Sequence, residues 1–310
     1  MPDDPQPQAV LTGLSDSAVF LSLVVDEGGE AAVRDLLPDL AGLTRSAGFR
    51  APEEGLSCVT GIGSDLWDRL FGGPRPAQLH PLPVFAGATH TAPSTPGDLL
   101  LHIRAGRLHM CFELARFVAD RLRGAAHVVD EVHGFRYFDQ RDLLGFVDGT
   151  ENPTGADAAA AVLVGDEDPD FRAGSYVVVQ KYVHDMDAWN ALSVEAQEMT
   201  IGRRKLDDLE IPEGVRPPDS HLTANVIEDE NGDERQIVRD NMPFGTVGAG
   251  EFGTYFVGYA ATPEVTELML HRMFVGEPPG CHDRILDYST PLTGGLFFVP
   301  SQTMLDDPPA

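Results

Sequence analysis

The sequence has few cysteines, few basic residues and no long apolar run. Its three cysteines, Cys58, Cys111 and Cys281, lie far apart, and no Cys-x-x-Cys motif or close grouping of cysteine with histidine occurs. An odd number of scattered cysteines argues against a disulfide framework and against a zinc site built from clustered Cys and His ligands. We therefore expect a protein of a reducing compartment, the cytoplasm.

The shortage of basic residues restricts the partners that the chain can have. Lysine and arginine number 22 against 49 aspartate and glutamate residues, which gives a formal net charge of −27. Nucleic acids and anionic membrane surfaces are bound by neutralising lysines and arginines, so neither is expected as a partner. No apolar run approaches the length that spans a bilayer, and the acidic, proline-rich segment Met1–Pro7 lacks the features of a secretory signal.

Strand-like and helix-like segments follow in the same order in each half of the 310 residues. In the first half, apolar periodicity predicts strands at 19–25, 58–60, 82–85, 99–103 and near 127–129, with helices at 33–43 and 108–122. In the second half it predicts strands at 175–183, 222–227, 236–239, 255–259 and 296–299, with helices at 189–199 and from Pro263 onward. Each half therefore has the order β-α-β-β-α-β, with helices over one face of an antiparallel sheet. The expected fold is α+β with two ferredoxin-like halves, residues 1–140 and 141–310.

A loop at residues 145–153 places an aspartate between two glycines. Its sequence is Gly-Phe-Val-Asp-Gly-Thr-Glu-Asn-Pro. Glycine allows unusual backbone angles, and Asn-Pro favours an extended or turn conformation. From such a loop Asp148 can reach into a pocket. An ordinary Asp-Gly turn between two strands is the alternative interpretation of the same pattern.

His221 and Arg239, which lie later in the sequence, are candidates for chemistry with Asp148. His221 follows a Pro-Pro-Asp-Ser loop and directly precedes the apolar segment 222–227, so its imidazole can point into a cavity. A solvated or backbone-bonded histidine is the alternative. Arg239 follows Ile-Val at the end of a strand, where it is either exposed on an edge or turned inward toward a charged partner. In so acidic a chain, Asp148 is a suitable partner for the inward orientation.

These residues carry a resemblance to the dye-decolourising peroxidases. The loop over 145–153 resembles the GxxDG signature of that family, and its flanking Phe, Thr, Glu, Asn and Pro resemble the bacterial members. Five further segments match the family in the right order: Gly202-Arg203, Ser220-His221, Ile237-Val238-Arg239, Phe256 to Ala260, and Asp283 to Asp287. The resemblance is most specific over residues 145–299, and the compact chain is similar to the branch called B-type.

The resemblance implies a haem b cofactor, one per chain, bound in the second half. His221 would ligate the iron on the proximal side, while Asp148, Arg239 and Asn241 would line the distal side, where hydrogen peroxide binds. The other residues expected at the cofactor are Gly149, Thr150, Glu151, Arg203, Phe256 and Asp283. The fold that the resemblance implies is the two-part ferredoxin-like superfold also known from chlorite dismutases.

Residue chemistry supports several of these implied roles. A carboxylate that accepts the second N–H of an axial histidine orients the ring; Asp283 is the first choice and Asp287 the second, with a helix or turn cap as the alternative for each. The Arg203 guanidinium suits a haem propionate, with a surface ion pair as its alternative. Asp148 can move a proton between the peroxide oxygens, and Arg239 supplies a fixed positive charge.

The expected activity is that of a haem peroxidase, which uses hydrogen peroxide to oxidise dyes, phenols or other small reductants through a high-valent haem intermediate. A large dye could be oxidised at the surface through an aromatic residue, although aromatics at helix or strand spacing are usually core. The available residues are Trp67, Trp189, Tyr176, Tyr182, Tyr255 and Tyr288. Two alternatives remain: a haem-handling protein that carries haem or releases its iron, with incidental peroxidase activity, and a ferredoxin-like dimeric module that binds a small ligand.

Two further expectations concern assembly. Edges and helix-free faces of ferredoxin-like sheets often pair, so we expect a homo-oligomer with a dimer as its minimal unit. The chain stops at Ala310, soon after the last expected strand. We therefore expect it to lack the extended tail by which some relatives are packed into encapsulin shells.

Overall fold

A computed structural model describes residues 4–149 and 151–309. Within these ranges the strands are β1 (Ser17–Val25), β2 (Ser57–Gly63), β3 (Phe85–Ala86), β4 (Thr91–Ala92), β5 (Leu99–Ala105), β6 (Ala126–Phe135), β7 (Ser175–His184), β8 (Val238–Arg239), β9 (Met242–Thr246), β10 (Glu251–Ala260) and β11 (Ser289–Val299). The helices are α1 (Glu30–Leu36), α2 (Leu40–Gly48), α3 (Ser64–Leu70), α4 (Leu108–Arg121), α5 (Gly155–Val162), α6 (Met186–Asn190), α7 (Val194–Ile201), α8 (His221–Asn225), α9 (Glu264–Phe274) and α10 (Gln302–Asp306). None of these helices is long and apolar enough to cross a membrane.

Nine of the described strands form one antiparallel sheet, in which each half of the chain repeats the same strand order. The order across the sheet is β6-β1-β5-β2-β11-β7-β10-β8, and β9 also pairs with β10. When the β3–β4 hairpin and β9 are set aside, both β6-β1-β5-β2 and β11-β7-β10-β8 have the ferredoxin-like order: fourth, first, third and second strand of their half. The halves join where Ile62 and Gly63 of β2 pair with Phe298 and Phe297 of β11. The predicted α+β fold with two ferredoxin-like halves is confirmed.

Strands β1, β2, β5 and β7 are buried on both faces, which explains their nearly continuous apolar sequences. In β1, Leu21 and Leu23 pack against the helices, whereas Phe20 belongs to a second core on the other face. Met242 of β9 packs directly against the backbone of Gly134 in β6, where no side chain would fit. The two ends of the sheet therefore meet, and the second core fills the inside of the curved sheet.

The structure has a helix where a strand was expected next to His221. The prediction of a strand over 222–227 is wrong, because α8 occupies most of that segment. Ser220 caps the helix by accepting a hydrogen bond from the Thr223 amide at 3.4 Å, and the Asn225 side chain donates to the His221 carbonyl at 2.8 Å. A short apolar run fits helix and strand equally well, so the cap decides between them.

Two other elements are shorter than expected. The predicted strand over 82–85 is largely loop, because prolines at 81 and 83 cannot donate to a ladder. The predicted helix over 189–199 is divided into α6 and α7, with Ser193 capping the second helix by accepting a bond from the Ala196 amide at 3.3 Å. The first difference arises from two prolines and the second from one capping serine within otherwise regular apolar patterns.

Candidate active site

The candidate site is a cavity on the helix-covered face of the second half of the sheet. Its floor consists of cross-strand neighbours on β7 and β10, with Gln180 opposite Phe256 and Tyr182 opposite Thr254. Side chains alternate between the faces of a strand, so these four share one face. Helices α8 and α9 and residues in the segments 142–149 and 151–152 complete the walls.

His221, the first residue of α8, presents its imidazole to this cavity. Its Nδ1 atom lies 2.6 Å from Oδ2 of Asp283, which is fully buried and whose Oδ1 accepts a bond from the Ile285 amide at 3.0 Å. The Asn225 side-chain nitrogen lies 3.2 Å from the same Nδ1. Across residues 4–149 and 151–309, Nε2 of His221 has no hydrogen-bond partner. With Nδ1–H donated to Asp283, the lone pair of Nε2 is available to a ligand in the cavity.

Opposing influences act on the pKa of His221. Burial disfavours the charged imidazolium, but the charge of Asp283 and its hydrogen bond outweigh burial and raise the pKa of His221 above its ordinary value. A carboxylate in this position also increases the electron density at Nε2. The structure therefore places the first-choice carboxylate, Asp283, where an axial histidine needs one. Asp287, the second choice, pairs instead with His90 and His282.

The glycine-containing loop brings Asp148 to the cavity. Gly149 has a φ of 80°, in the region that residues with a Cβ atom avoid. The Asn241 side-chain nitrogen donates to Oδ2 of Asp148 at 3.0 Å, and the Asn241 oxygen accepts from the Val257 amide at 3.1 Å. Asp148 is thus held by an asparagine that is itself fixed to β10.

Arg239 enters the same cavity from β8. It pairs with Gly258 of β10, two residues from Phe256, so its side chain lies on the face that forms the cavity floor. The Asn152 side chain bonds both backbone groups of Arg239, accepting from the amide at 2.8 Å and donating to the carbonyl at 2.6 Å. The loop of Asp148 and the strand of Arg239 are therefore tied together at the last residue of β8.

The guanidinium of Arg239 is half-buried and has no carboxylate in ion-pair contact among the described residues. It donates to Sδ of Met269 at 3.7 Å. Burial lowers the pKa of Arg239, while the charges of Asp148, Glu234 and Glu151 act in the opposite direction. A positive charge in an apolar cavity attracts an anion or a developing negative charge. The inward orientation, one of the two alternatives from the sequence, is the one that the structure shows.

A further carboxyl, that of Asp142, lines the cavity and was not predicted from the sequence. Oδ1 of Asp142 accepts a hydrogen bond from the Phe146 amide at 2.9 Å. Burial raises the pKa of Asp142 to about 7; the bond from Phe146 opposes this shift and the charge of Asp148 adds to it. An Asp just before a Gly-rich turn is a common turn-forming pattern, and that was the signal available in the sequence.

Comparison with known proteins identifies the family to which this site belongs. Residues 7–136 match "Dyp-type peroxidase, N-terminal" and residues 139–304 match "Dyp-type peroxidase, C-terminal". The chain belongs to the Dyp-type peroxidase family. A dye-decolorizing peroxidase of Rhodococcus erythropolis is 62% identical over 98% of this chain and 89% of its own length. The predicted family, and with it the peroxidase class of enzyme, is confirmed.

Solved structures of Dyp-type peroxidases have the same fold. The encapsulated DyP-type peroxidase of Mycobacterium smegmatis superposes with a TM-score of 0.97, at 60% identity over 99% of both chains. DyPB of Rhodococcus jostii superposes with a TM-score of 0.95, at 57% identity over 97% of both chains, and variants of that protein have been solved in complex with haem. A more distant relative, a deferrochelatase of Escherichia coli, is 25% identical over 81% of this chain and 66% of its own length.

The cavity of this Dyp-type peroxidase has the donors and walls that fit a haem group. Its apolar lining residues include Leu222, Met269, Leu270, Met273 and Ile285. Apolar walls suit the faces of a porphyrin, and the free Nε2 of His221 suits its iron. The Arg239 guanidinium offers a charge to a propionate or to peroxide.

Four of the other predicted cofactor residues line the cavity. Gly149, Glu151, Arg203 and Phe256 are at its wall or floor, and Thr150 lies outside the described residues. Arg203 forms ion pairs with Glu151 at 2.9 Å, Glu210 at 2.8 Å and Asp208 at 3.7 Å. The ion-pair alternative for Arg203 is thus the arrangement that the structure shows. A haem propionate at this position would share the guanidinium with these carboxylates.

A buried polar network behind the cavity was not predicted from the sequence. Asp240 follows Arg239 and points to the opposite face, where it forms a buried ion pair with Arg104 of β5. Nε2 of His102 lies 3.7 Å from the Asp240 carboxylate, and its Nδ1 lies 2.8 Å from the Tyr259 hydroxyl. Burial and the charge of Arg104 hold the pKa of His102 well below its usual range, so this histidine is neutral. Asp240 and Arg104 are 136 residues apart, so no local pattern in the chain could indicate the pair.

The aromatic residues considered as surface oxidation sites are mostly core residues. Trp67, Trp189, Tyr176, Tyr182 and Tyr255 are buried. Tyr288 is half-buried and contacts Trp189 edge-on, with ring centroids 5.3 Å apart. The structure therefore supports the expectation that aromatics at helix or strand spacing pack in the core.

Proposed function

We propose that this Dyp-type peroxidase holds haem b in the cavity, with Nε2 of His221 as the proximal ligand to iron. The observation that carries the proposal is the 2.6 Å contact between His221 Nδ1 and the buried Asp283 carboxylate. This contact fixes the tautomer and the orientation of the ring, and both are needed for ligation through Nε2. When bound, haem supplies the redox-active iron at which hydrogen peroxide is reduced.

Asp148, Arg239 and Asn241 act on the bound peroxide. The Asp148 carboxylate takes a proton from one peroxide oxygen and delivers it to the other, which leaves as water. The Arg239 guanidinium stabilises the negative charge that develops on the leaving oxygen, and it does so without a change of protonation. Asn241 keeps the carboxylate in place through its 3.0 Å bond to Oδ2.

The second substrate is a small reductant, and we assign dyes and phenols to this role. A dye is too large to share the cavity with haem, so its electrons would enter at the protein surface. Arg203 and Glu151 line one part of the cavity wall, and Glu210 forms a second ion pair with Arg203. Arg203 would bind a propionate there by exchanging one of these carboxylate partners.

The visible spectrum before and after peroxide tests the proposed function. The purified protein should show a Soret band that changes when one equivalent of peroxide is added, and a phenolic reductant should restore the original spectrum. With both substrates in excess, the protein should oxidise the reductant in a sustained steady state. A colourless protein that stays colourless after haem addition would contradict haem binding. Haem transfer to an apo-acceptor that is faster than peroxide turnover would favour the haem-handling alternative.

The assembly, the domain division and the location belong to the same proposal. Three large apolar side chains of β6, the strand at one end of the sheet, are exposed (Val128 at 40%, Val129 at 45% and Phe135 at 38%), and they support a homo-oligomer. Because the chain is highly acidic, added salt should favour the assembled form, and a monomeric mass by light scattering at every salt concentration would contradict it.

The family matches to 7–136 and 139–304 support a division into residues 1–140 and 141–310. The free thiols of all three cysteines support a cytoplasmic location.

A further inference from the structure

A second group of metal-ligand side chains lies outside the haem cavity, where the β3–β4 hairpin meets the end of α9. The Nε2 atoms of His90 and His282 each lie 3.1 Å from the same Oδ1 atom of Asp287. The ligand atoms of the three residues lie within 4.8 Å of one another, and the two rings meet at 66° with centroids 4.7 Å apart. In the part of the chain that the structure describes, no other set of three His, Cys, Asp or Glu residues converges in this way.

We propose that His90, His282 and Asp287 form a binding site for a divalent transition-metal ion of the Zn²⁺ type. Two imidazole nitrogens and one carboxylate oxygen suit Zn²⁺, whereas Mg²⁺ and Ca²⁺ take oxygen ligands. Tetrahedral Zn²⁺ with bonds of about 2.0–2.1 Å has ligand atoms about 3.3 Å apart. The observed N–O separations of 3.1 Å are close to that spacing. Each imidazole would bind through Nε2 and carry its proton on Nδ1.

The backbone around the ligands is fixed by contacts with α9. His90 directly precedes β4, and its carbonyl accepts a hydrogen bond from the Gly87 amide at 2.9 Å. Gly87 lies so close to the Phe274 carbonyl that a side chain there would collide with it. On the other side of the site, the Asp283 amide donates to the Met273 carbonyl at 2.8 Å. Hairpin and loop are both anchored at the end of α9, so ion binding would require little further ordering.

The site is partly shielded and has one open side. The side chains of His90 and His282 are 21% and 22% exposed, and that of Asp287 is 46% exposed. This leaves a coordination position for water beside the three protein ligands, as in other three-ligand zinc sites. The net charge of −27 also favours the approach of a cation. Since the ligands come from residue 90 and from 282–287, no local Cys/His motif could have predicted the site.

An ion at this site would link the first half of the chain to the loop that holds Asp283. His282 is the immediate neighbour of Asp283, and His90 belongs to the β3–β4 hairpin. Binding to the folded state alone would stabilise the protein against unfolding. The ion takes no part in the peroxidase reaction, so its binding can be measured independently of haem chemistry.

Calorimetric titration of Zn²⁺ into the haem-loaded, chelator-treated and dialysed protein tests the proposal. One saturable site per chain is expected. His90→Gln and His282→Gln should each weaken it by at least about 100-fold, because even outer-shell partners of a metal ligand are worth 10–100-fold. His133→Gln is the matched control, since His133 also contacts a carboxylate, Glu131 at 2.7 Å, but is not part of a three-residue group. Its Zn²⁺ affinity should equal that of the unchanged protein.

Two further measurements distinguish a metal site from a hydrogen-bonded cluster. Absorption at the zinc edge, to which haem iron does not contribute, should show two imidazole ligands, and Zn²⁺ should raise the Tm of the unchanged protein but not of His90→Gln. Equal Zn²⁺ affinities for His90→Gln and the unchanged protein would overturn the proposal. So would the absence of a saturable site, or a loss of Tm in His90→Gln that is the same with and without Zn²⁺.

Discussion

The Asn152 side chain bonds both backbone groups of Arg239, at 2.8 Å to the amide and at 2.6 Å to the carbonyl, in the manner of a neighbouring strand. It lies four residues after Asp148, on the same loop. These two hydrogen bonds therefore set the position of the Arg239 guanidinium relative to the Asp148 carboxylate. Asn152 has this effect without contacting peroxide itself.

Replacing Asn152 should disturb this placement without removing haem. We expect Asn152→Ala to slow the reaction with peroxide by about 10–100-fold, since small misplacements of a catalytic group have effects of this size. Stopped-flow mixing of the haem-loaded protein with peroxide measures the rate. Asn231→Ala is the control, because the Asn231 side chain donates to Asp229 in an exposed turn away from the cavity. An unchanged rate for Asn152→Ala would mean that β8 alone positions Arg239.

The two charged residues of the cavity should differ in importance. We expect Arg239→Leu to slow the reaction with peroxide more than Asp148→Asn does. The guanidinium stays charged at every working pH, whereas water can replace Asp148 as a proton carrier with a loss of about 10²–10⁴-fold. Both variants should keep their Soret band. Stopped-flow mixing at neutral pH decides the order; if Asp148→Asn is the slower variant, the carboxylate is the principal group.

Much of the site could be predicted because its residues stand in short, recognisable segments. Asp148 lies between glycines and His221 follows a proline-rich loop, so each was identifiable locally. The partners of these residues were harder to find. Asn152 was part of the motif, but its contact with Arg239 spans 87 residues. Only the folded sheet shows that Asp240 faces away from the cavity toward Arg104.

The fold was predictable for a related reason. Long apolar strands and helices repeat in both halves, and their order is enough to indicate two ferredoxin-like units. The α8 helix was missed because its type depends on one capping residue, Ser220, and not on periodicity. The joining of both halves into one sheet depends on pairing between β2 and β11, which has no signal in the sequence.

Asp142 should make stability depend on pH. Its pKa is raised by burial from 3.8 to about 7, so the unfolded state loses this proton at a lower pH than the folded state. The unfolding free energy therefore falls as pH rises from about 4 to about 7. Above pH 7 the full loss of unfolding free energy caused by the ionised Asp142 remains. Asp142→Asn removes this penalty, so we expect the variant to be stabilised relative to the unchanged protein at pH 8 more than at pH 5.

Thermal unfolding of the haem-loaded proteins at both pH values measures the effect. The exposed Asp166, whose nearest charged partner is Arg172 at 3.5 Å, provides the control variant Asp166→Asn. That control should show little difference between pH 5 and pH 8. A stability difference for Asp142→Asn that is the same at both pH values would show that Asp142 is ionised throughout this range.

The buried ion pair of Arg104 and Asp240 should be sensitive to the loss of one partner. Arg104→Met leaves the carboxylate buried without its partner, and such changes cost about 3–5 kcal/mol. Adding Asp240→Asn removes the charge, so the double variant should be more stable than Arg104→Met alone. Urea unfolding of the haem-loaded proteins measures both. Arg116→Met, which breaks exposed ion pairs with Glu113 and Asp120, is the control. An equal loss of unfolding free energy in Arg104→Met and Arg116→Met would refute the prediction.

The central claim, that Nε2 of His221 is the proximal ligand to haem iron, is tested most directly by the visible spectrum of His221→Gly. The variant should be folded and either poor in haem or marked by an altered Soret band, and added imidazole should restore the band by occupying the vacated space. His271→Ala, a change on the exposed side of α9, should leave the band unchanged. Full haem occupancy and an unaltered Soret band in His221→Gly would contradict the assignment.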